Sequence, residues 1–123
     1  MNTTWLVASI AATGVALTHV ILGGREIARP LLNARDMHDV ARYTNYFCWH
    51  MVTIVLFGQA AAFAWAAVYP DGYELAVAAT MLSVLFTLWN LGLVFWKGQS
   101  LILMPQWMLF IAVTIPGVWG ALP

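Results

Sequence analysis

Two of the three histidines in this sequence lie within long apolar stretches, where an ionisable side chain is costly. His19 ends the stretch that begins near Thr4, and His50 lies in the stretch that begins near Tyr46. In a membrane-spanning helix such a group faces the bundle interior or a water-filled cavity and commonly marks a ligand, ion or proton site. His19 and His50 are therefore the first candidates for a functional site.

Two amide side chains lie at a depth similar to that of the histidines. With a rise of about 1.5 Å per residue, counting from the polar connections places His19 about 8 Å and His50 about 12 Å inside one membrane surface. The same count places Asn90 and Gln106 about 10 Å inside it. One polar residue from each predicted helix thus falls in a common layer, which predicts a ligand pocket in one leaflet. Aromatic residues adjoin this layer and would form the pocket walls: Tyr46, Trp49, Trp89 and Trp107.

Two kinds of cofactor suit such a layer. A haem b would take His19 and His50 as its two iron ligands, from adjacent antiparallel helices. A quinone or a similar lipid-like molecule needs only hydrogen-bond donors beside aromatic walls. The sequence contains no Walker-type, HExxH, CxxC or GxGxxG motif that would name a reaction. Both cofactors stay open, and no enzymatic activity is predicted.

The segment GGREIARPLL follows the first apolar stretch and carries two arginines. Gly23 and Gly24 predict the end of a helix, in the usual place for a left-handed cap. Arg25 and Arg29 have two interpretations. They hold this connection on the cytoplasmic side of the membrane, or they bind an anionic head group.

Helical periodicity predicts two polar stripes on neighbouring spans. One runs along the third span and the other climbs from the basic connection into the second span. Facing stripes would satisfy each other's polar groups, so we expect them to face each other. The stripe on the third span consists of Thr80, Ser83, Thr87 and Asn90, and that on the second of Asp39, Tyr43, Tyr46 and His50.

The elements that must position these residues are membrane-spanning helices. The chain is 63% hydrophobic and only 8% charged, with a mean hydropathy of +0.82, so it cannot present an ordinary water-facing surface. Four apolar runs approach the roughly 20 residues that a helix needs to cross a bilayer. They predict one all-helical domain, an up-down bundle of four transmembrane helices. The predicted spans are residues 4–22, 46–68, 75–96 and 100–119.

The distribution of charge predicts the orientation. Four arginines lie in the connection of residues 23–42 and Lys97 lies in the third connection, whereas the middle connection carries only Asp71 and Glu74. By the positive-inside rule, the basic connections face the cytoplasm and both termini face outward. We therefore expect a multi-pass protein of a bacterial-type inner membrane.

Composition supports a second functional interpretation equally well. Fourteen per cent aromatic residues and many small residues suit packing against other helices as well as they suit a ligand pocket. In this alternative the chain is a non-catalytic accessory subunit of a larger membrane complex, or it packs against its own copies. Membrane lipids are the expected surroundings, and the balance of five basic and five acidic residues gives no reason to expect a nucleic-acid partner.

Overall fold

The computed structural model describes residues 1–122, and all its regular elements are helices. The first rod is a continuous helix, Thr3–Asn33, made of α1 (Thr3–Thr18), a π-helical segment (His19–Ala28) and α2 (Arg29–Asn33). It is followed by α3 (Asp39–Val68), a short 3₁₀ turn (Pro70–Gly72), α4 (Tyr73–Trp96) and α5 (Gln106–Ala121).

The helix lengths confirm the predicted fold class. The first rod, α3 and α4 are each long and apolar enough to cross a membrane, and α5 is a shorter apolar helix. α1 packs against both α3 and α5, and α4 packs against the same two helices, so the four rods form a closed bundle. The chain is a multi-pass membrane protein with a helical-bundle fold.

The first helix does not end at Gly23 and Gly24, so the predicted left-handed cap there is wrong. Both glycines lie inside the π-helical segment, and within residues 1–122 the only positive φ belongs to Gly98, at 60°. The wider π turn continues the backbone hydrogen bonding through the glycines. A left-handed glycine instead follows α4, where the Gln99 amide donates to the Val94 carbonyl over 2.9 Å.

The continuous first helix shortens the first connection to residues 34–38, and α3 begins well before the predicted start of the second span. The Val40 amide donates to the His38 ring over 3.3 Å at the start of α3. Arg42 anchors the connection by donating to the Ala34 carbonyl over 2.8 Å and by pairing with Asp39. We call the end of the bundle that carries this connection and Lys97 the basic end, and the opposite one the terminal end.

Small residues let the helices approach closely in the half of the bundle near the terminal end. Ala8, Ala12 and Ala16 are buried on one face of α1, as their four-residue spacing predicts. The core cluster continues onto the other helices through Leu56, Phe63, Ala76, Ala79 and Val113. Because alanine interfaces allow short interaxial distances, dispersion contacts and interhelical hydrogen bonds hold this half together.

Three buried polar side chains in this half, those of Ser9, Gln59 and Ser83, take part in hydrogen bonds between helices. Ser9 donates to the Ala60 carbonyl over 2.9 Å, joining α1 to α3. Gln59 donates from α3 to the Ala79 carbonyl over 2.7 Å and to the Ser83 hydroxyl over 2.5 Å. These bonds join the helices of the terminal half, where the buried Thr114 hydroxyl has no partner within residues 1–122.

Candidate functional site

A stacked pair of rings lies at the centre of the basic half. The His19 imidazole, in the π-helical segment, stacks on the Trp49 indole of α3 with ring centroids 3.8 Å apart and planes 17° from parallel. His19 Nε2 also lies 3.3 Å from the Trp49 carbonyl oxygen. A carbonyl can only accept, so Nε2 carries the proton in this contact.

Gly23 makes room for this stack. A Cβ atom on Gly23 would lie 2.5 Å from Trp49 Cη2, far inside any ordinary contact, whereas a Cβ on Gly24 would meet nothing within 4 Å. The first glycine is thus a packing requirement for the indole. The second glycine borders open space.

A cavity lies beside the stack, among the first helix, α3 and α5. Its volume is about 330 Å³, which falls in the range of about 300–1,000 Å³ typical of small-ligand sites. We call it the His19 cavity. Its polar lining residues are Thr18, His19, Glu26, Trp49 and Gln106, and its remaining lining residues are Val15, Leu22, Gly23, Ile27, Val52, Leu56, Leu103, Pro105, Leu109 and Phe110.

Two hydrogen-bond donors in this lining have no partner within residues 1–122. The Trp49 indole nitrogen makes no hydrogen bond there, and Gln106 is bonded only through its oxygen, which accepts from Asn90 over 3.3 Å. The Thr18 hydroxyl, by contrast, is bound to the carbonyl of Gly14. The lining therefore combines apolar walls with two side chains that have unused donors, beside the His19 ring and the Glu26 carboxylate. Unused donors among apolar walls suit a molecule with carbonyl or ether oxygens.

His50 lies in a different cavity, so the structure does not bring the two histidines to one pocket. The His50 ring contacts the Tyr46 ring edge-on, with centroids 4.6 Å apart. Both rings line a second cavity of about 340 Å³ between α3 and the His19–Asn33 part of the first helix. We call it the His50 cavity; it is lined by Val20, Gly24, Ala28, Arg29, Leu32, Tyr46, Trp49, His50 and Thr53.

Trp49 lines both cavities and forms the wall between them. The expectation that the polar stripes of the second and third spans face each other is accordingly not met. Tyr46 and His50 face the first helix, while Ser83 on α4 meets Gln59 of α3 nearer the terminal end.

Asn90 and Gln106 meet, as their common depth predicts, and they organise the start of α5. The Asn90 side chain donates to Gln106 and accepts from the Trp107 amide over 3.1 Å, in the first turn of α5. The Trp107 indole donates to the Leu101 carbonyl over 3.1 Å. Asn90 thus caps a neighbouring helix.

Trp89 lies apart from both cavities. Its side chain is 69% exposed and lines a surface groove on α4 with Leu85, Phe86 and Leu88. In a membrane protein such exposure is contact with lipid or with another helix.

The two arginines of the GGREIARPLL segment have different surroundings. Both side chains are exposed, but Arg29 lines the His50 cavity and Arg25 lines neither the His19 nor the His50 cavity. Neither has a carboxylate within ion-pair distance in residues 1–122, where the ion pair is Arg42 with Asp39.

No protein-family model, no curated protein and no solved structure matches this chain. Functional reasoning therefore rests on the geometry of the two cavities.

Sequence reasoning missed Glu26, which lines the His19 cavity. Glu26 follows His19 by seven residues, and two helical turns return a side chain to nearly the same face. That spacing is the signal in the sequence that points to Glu26. A metal cluster is not supported either, because the part of the chain described here contains no group of three histidine, cysteine or acidic residues near one another.

Proposed function

We propose that this protein is a ligand-binding membrane module whose His19 cavity holds a quinone-like molecule. The observation that carries the proposal is the juxtaposition, in one cavity, of apolar walls from three helices with the free donors of Trp49 and Gln106. A planar ring with two carbonyl oxygens accepts such donors and has an apolar body that such walls exclude from water.

The geometry favours a quinone-like ligand over haem. A bis-histidine haem needs one imidazole nitrogen from each side of the same iron. His19 and His50 line separate cavities, Trp49 lines both, and His19 Nε2 already contacts the Trp49 carbonyl. Haem binding would require Trp49 to leave its stack.

The charge distribution supports a position for the cavity. The basic end carries Arg25, Arg29, Arg35 and Lys97, so the positive-inside rule puts the His19 cavity in the cytoplasmic leaflet. In a bacterial-type inner membrane, quinones are dissolved in the bilayer.

A pair of valines on α3 provides a direct test. Val52 lines the His19 cavity and Val55 does not, while their exposed fractions are similar, 42% and 37%. Val52→Phe should fill the cavity and Val55→Phe should leave it open. Each protein is reconstituted in nanodiscs with decylubiquinone, and the bound quinone is measured by mass spectrometry of solvent extracts against empty nanodiscs.

We expect the wild type and Val55→Phe to retain about one quinone per chain above the empty-disc level, and Val52→Phe to lose it. Equal retention by both variants would mean simple partition into lipid and would refute the proposal. A Soret band in the purified protein that disappears in His19→Ala and His50→Ala would identify the ligand as haem instead of a quinone. A stable co-purifying membrane partner without retained quinone would favour the accessory-subunit function.

A further inference from the structure

The His50 cavity carries three polar side chains that make no hydrogen bond or ion pair within residues 1–122. These are the Arg29 guanidinium, the Tyr46 hydroxyl and the His50 imidazole, which come from two different helices. The edge-on contact between Tyr46 and His50 holds their rings against each other. One permanent cation and two further hydrogen-bonding side chains thus line one cavity of about 340 Å³, with Arg29 and His50 exposed at its surface.

This donor set matches a phosphate group. Arginine presents a planar fork of N–H donors that binds phosphate oxygens in pairs, and hydroxyl and imidazole donors supply further single bonds. No carboxylate competes for Arg29, because the acidic residue nearest in sequence, Glu26, lines the other cavity. The cavity therefore has net positive charge and unused donors.

The rest of the lining indicates a phosphate with an apolar body attached. Val20, Ala28 and Leu32 form the apolar part of the cavity, on the same helix as Arg29. Val20 is also exposed on the side of the first helix that borders the cavity, and Ile21 beside it is exposed as well. Arg29 itself lies in the last turns of that helix, next to the connection of residues 34–38, which is the level of lipid head groups.

We infer that the His50 cavity is a binding site for the phosphate of an anionic phospholipid, held by Arg29 with Tyr46 and His50. The site is separate from the His19 cavity, with Trp49 as the wall between them. This phosphate site does not depend on whether a quinone binds in the His19 cavity.

Arg25 provides the matched control, because it lies on the same segment, is exposed and lines neither cavity. Arg29→Gln and Arg25→Gln remove the same charge from the same helix. Native mass spectrometry in detergent measures the affinity of each protein for phosphatidylglycerol and phosphatidylcholine. Near-UV circular dichroism of each variant verifies that the fold is retained.

Arg29→Gln should weaken phosphatidylglycerol binding by about tenfold or more, because a charge-assisted pair of hydrogen bonds is lost. Tyr46→Phe, which removes only the hydroxyl, should weaken it by about two- to fivefold. Arg25→Gln should change it by less than about twofold, and phosphatidylcholine should bind more weakly than phosphatidylglycerol throughout.

Inorganic phosphate distinguishes the two sources of the same group. If the site takes a lipid, a large molar excess of inorganic phosphate leaves bound phosphatidylglycerol in place. If inorganic phosphate displaces phosphatidylglycerol from the wild type but not from Arg29→Gln, the cavity binds phosphate but its ligand is a soluble molecule, and the lipid assignment is overturned. Equal weakening by Arg25→Gln and Arg29→Gln would show diffuse attraction of the whole basic segment and would overturn the inference, as would an unchanged affinity in Arg29→Gln.

Discussion

Replacing Gly23 by alanine tests the central packing feature of the basic half. The new methyl carbon would lie 2.5 Å from Trp49 Cη2, about an ångström closer than an ordinary carbon contact. The contact would be with the rim of the indole, and one face of that ring stacks on His19 with centroids 3.8 Å apart, so a shift of the ring disturbs the stack. The substitution must therefore displace either the ring or the helix.

The matched variant Gly24→Ala separates this clash from the effect of alanine on a helix. Both glycines lie in the same π-helical segment, but a Cβ on Gly24 meets nothing within 4 Å. Alanine stabilises a helix by roughly 0.5–1 kcal/mol relative to glycine at either position. Overpacking costs about 1–3 kcal/mol and applies only at Gly23. Gly23→Ala should therefore be about 1–3 kcal/mol less stable than Gly24→Ala.

Unfolding in mixed detergent–SDS micelles, followed by far-UV circular dichroism, gives the two free energies. Near-UV circular dichroism should change in Gly23→Ala alone, because the Trp49 ring moves. In a Trp49→Ala background the difference between the alanine variants should vanish, as the methyl group then has room. Equal stability of the two variants, together with an unchanged near-UV spectrum, would refute the packing role assigned to Gly23.

Two further substitutions test the polar contacts between helices. Gln59→Leu removes the bonds from α3 to Ala79 and Ser83 and should lower the free energy of unfolding by about 1 kcal/mol. Such bonds in membranes are worth about 0.6 kcal/mol on average and at most about 1.7 kcal/mol. An increase in stability in the same SDS titration would contradict this expectation. Asn90→Leu removes the acceptor for the Trp107 amide and should cost about 1 kcal/mol, the usual value of a lost helix cap. The exposed Gln99→Leu is its control, and an Asn90→Leu protein as stable as this control would exclude the capping role.

Much of the architecture followed from local properties of the sequence. The length and hydropathy of each apolar run determine whether a helix can cross a bilayer, and neither depends on which neighbours the helix has. The alanines of α1 were also readable, because a four-residue spacing of small side chains marks a close helix contact wherever the partner lies. The common depth of Asn90 and Gln106 in the bundle could also be predicted, because the rise per residue of a helix is fixed, and these two side chains do meet.

The partition of the predicted pocket was decided only by the tertiary structure. Bundle interior and lipid are both apolar, so hydrophobic periodicity gives little information on how a membrane helix is rotated about its axis. The sequence places His19 and His50 at similar depths, yet the rotation of α3 puts His50 in the cavity that Arg29 lines, and His19 in the other. Gly23 likewise looked like a helix end, because its role depends on an indole 26 positions away in the chain. The sequence by itself determined a four-helix membrane protein with polar groups in one layer, and packing alone decided that the layer contains two cavities, because contacts between distant residues set the rotation of each helix.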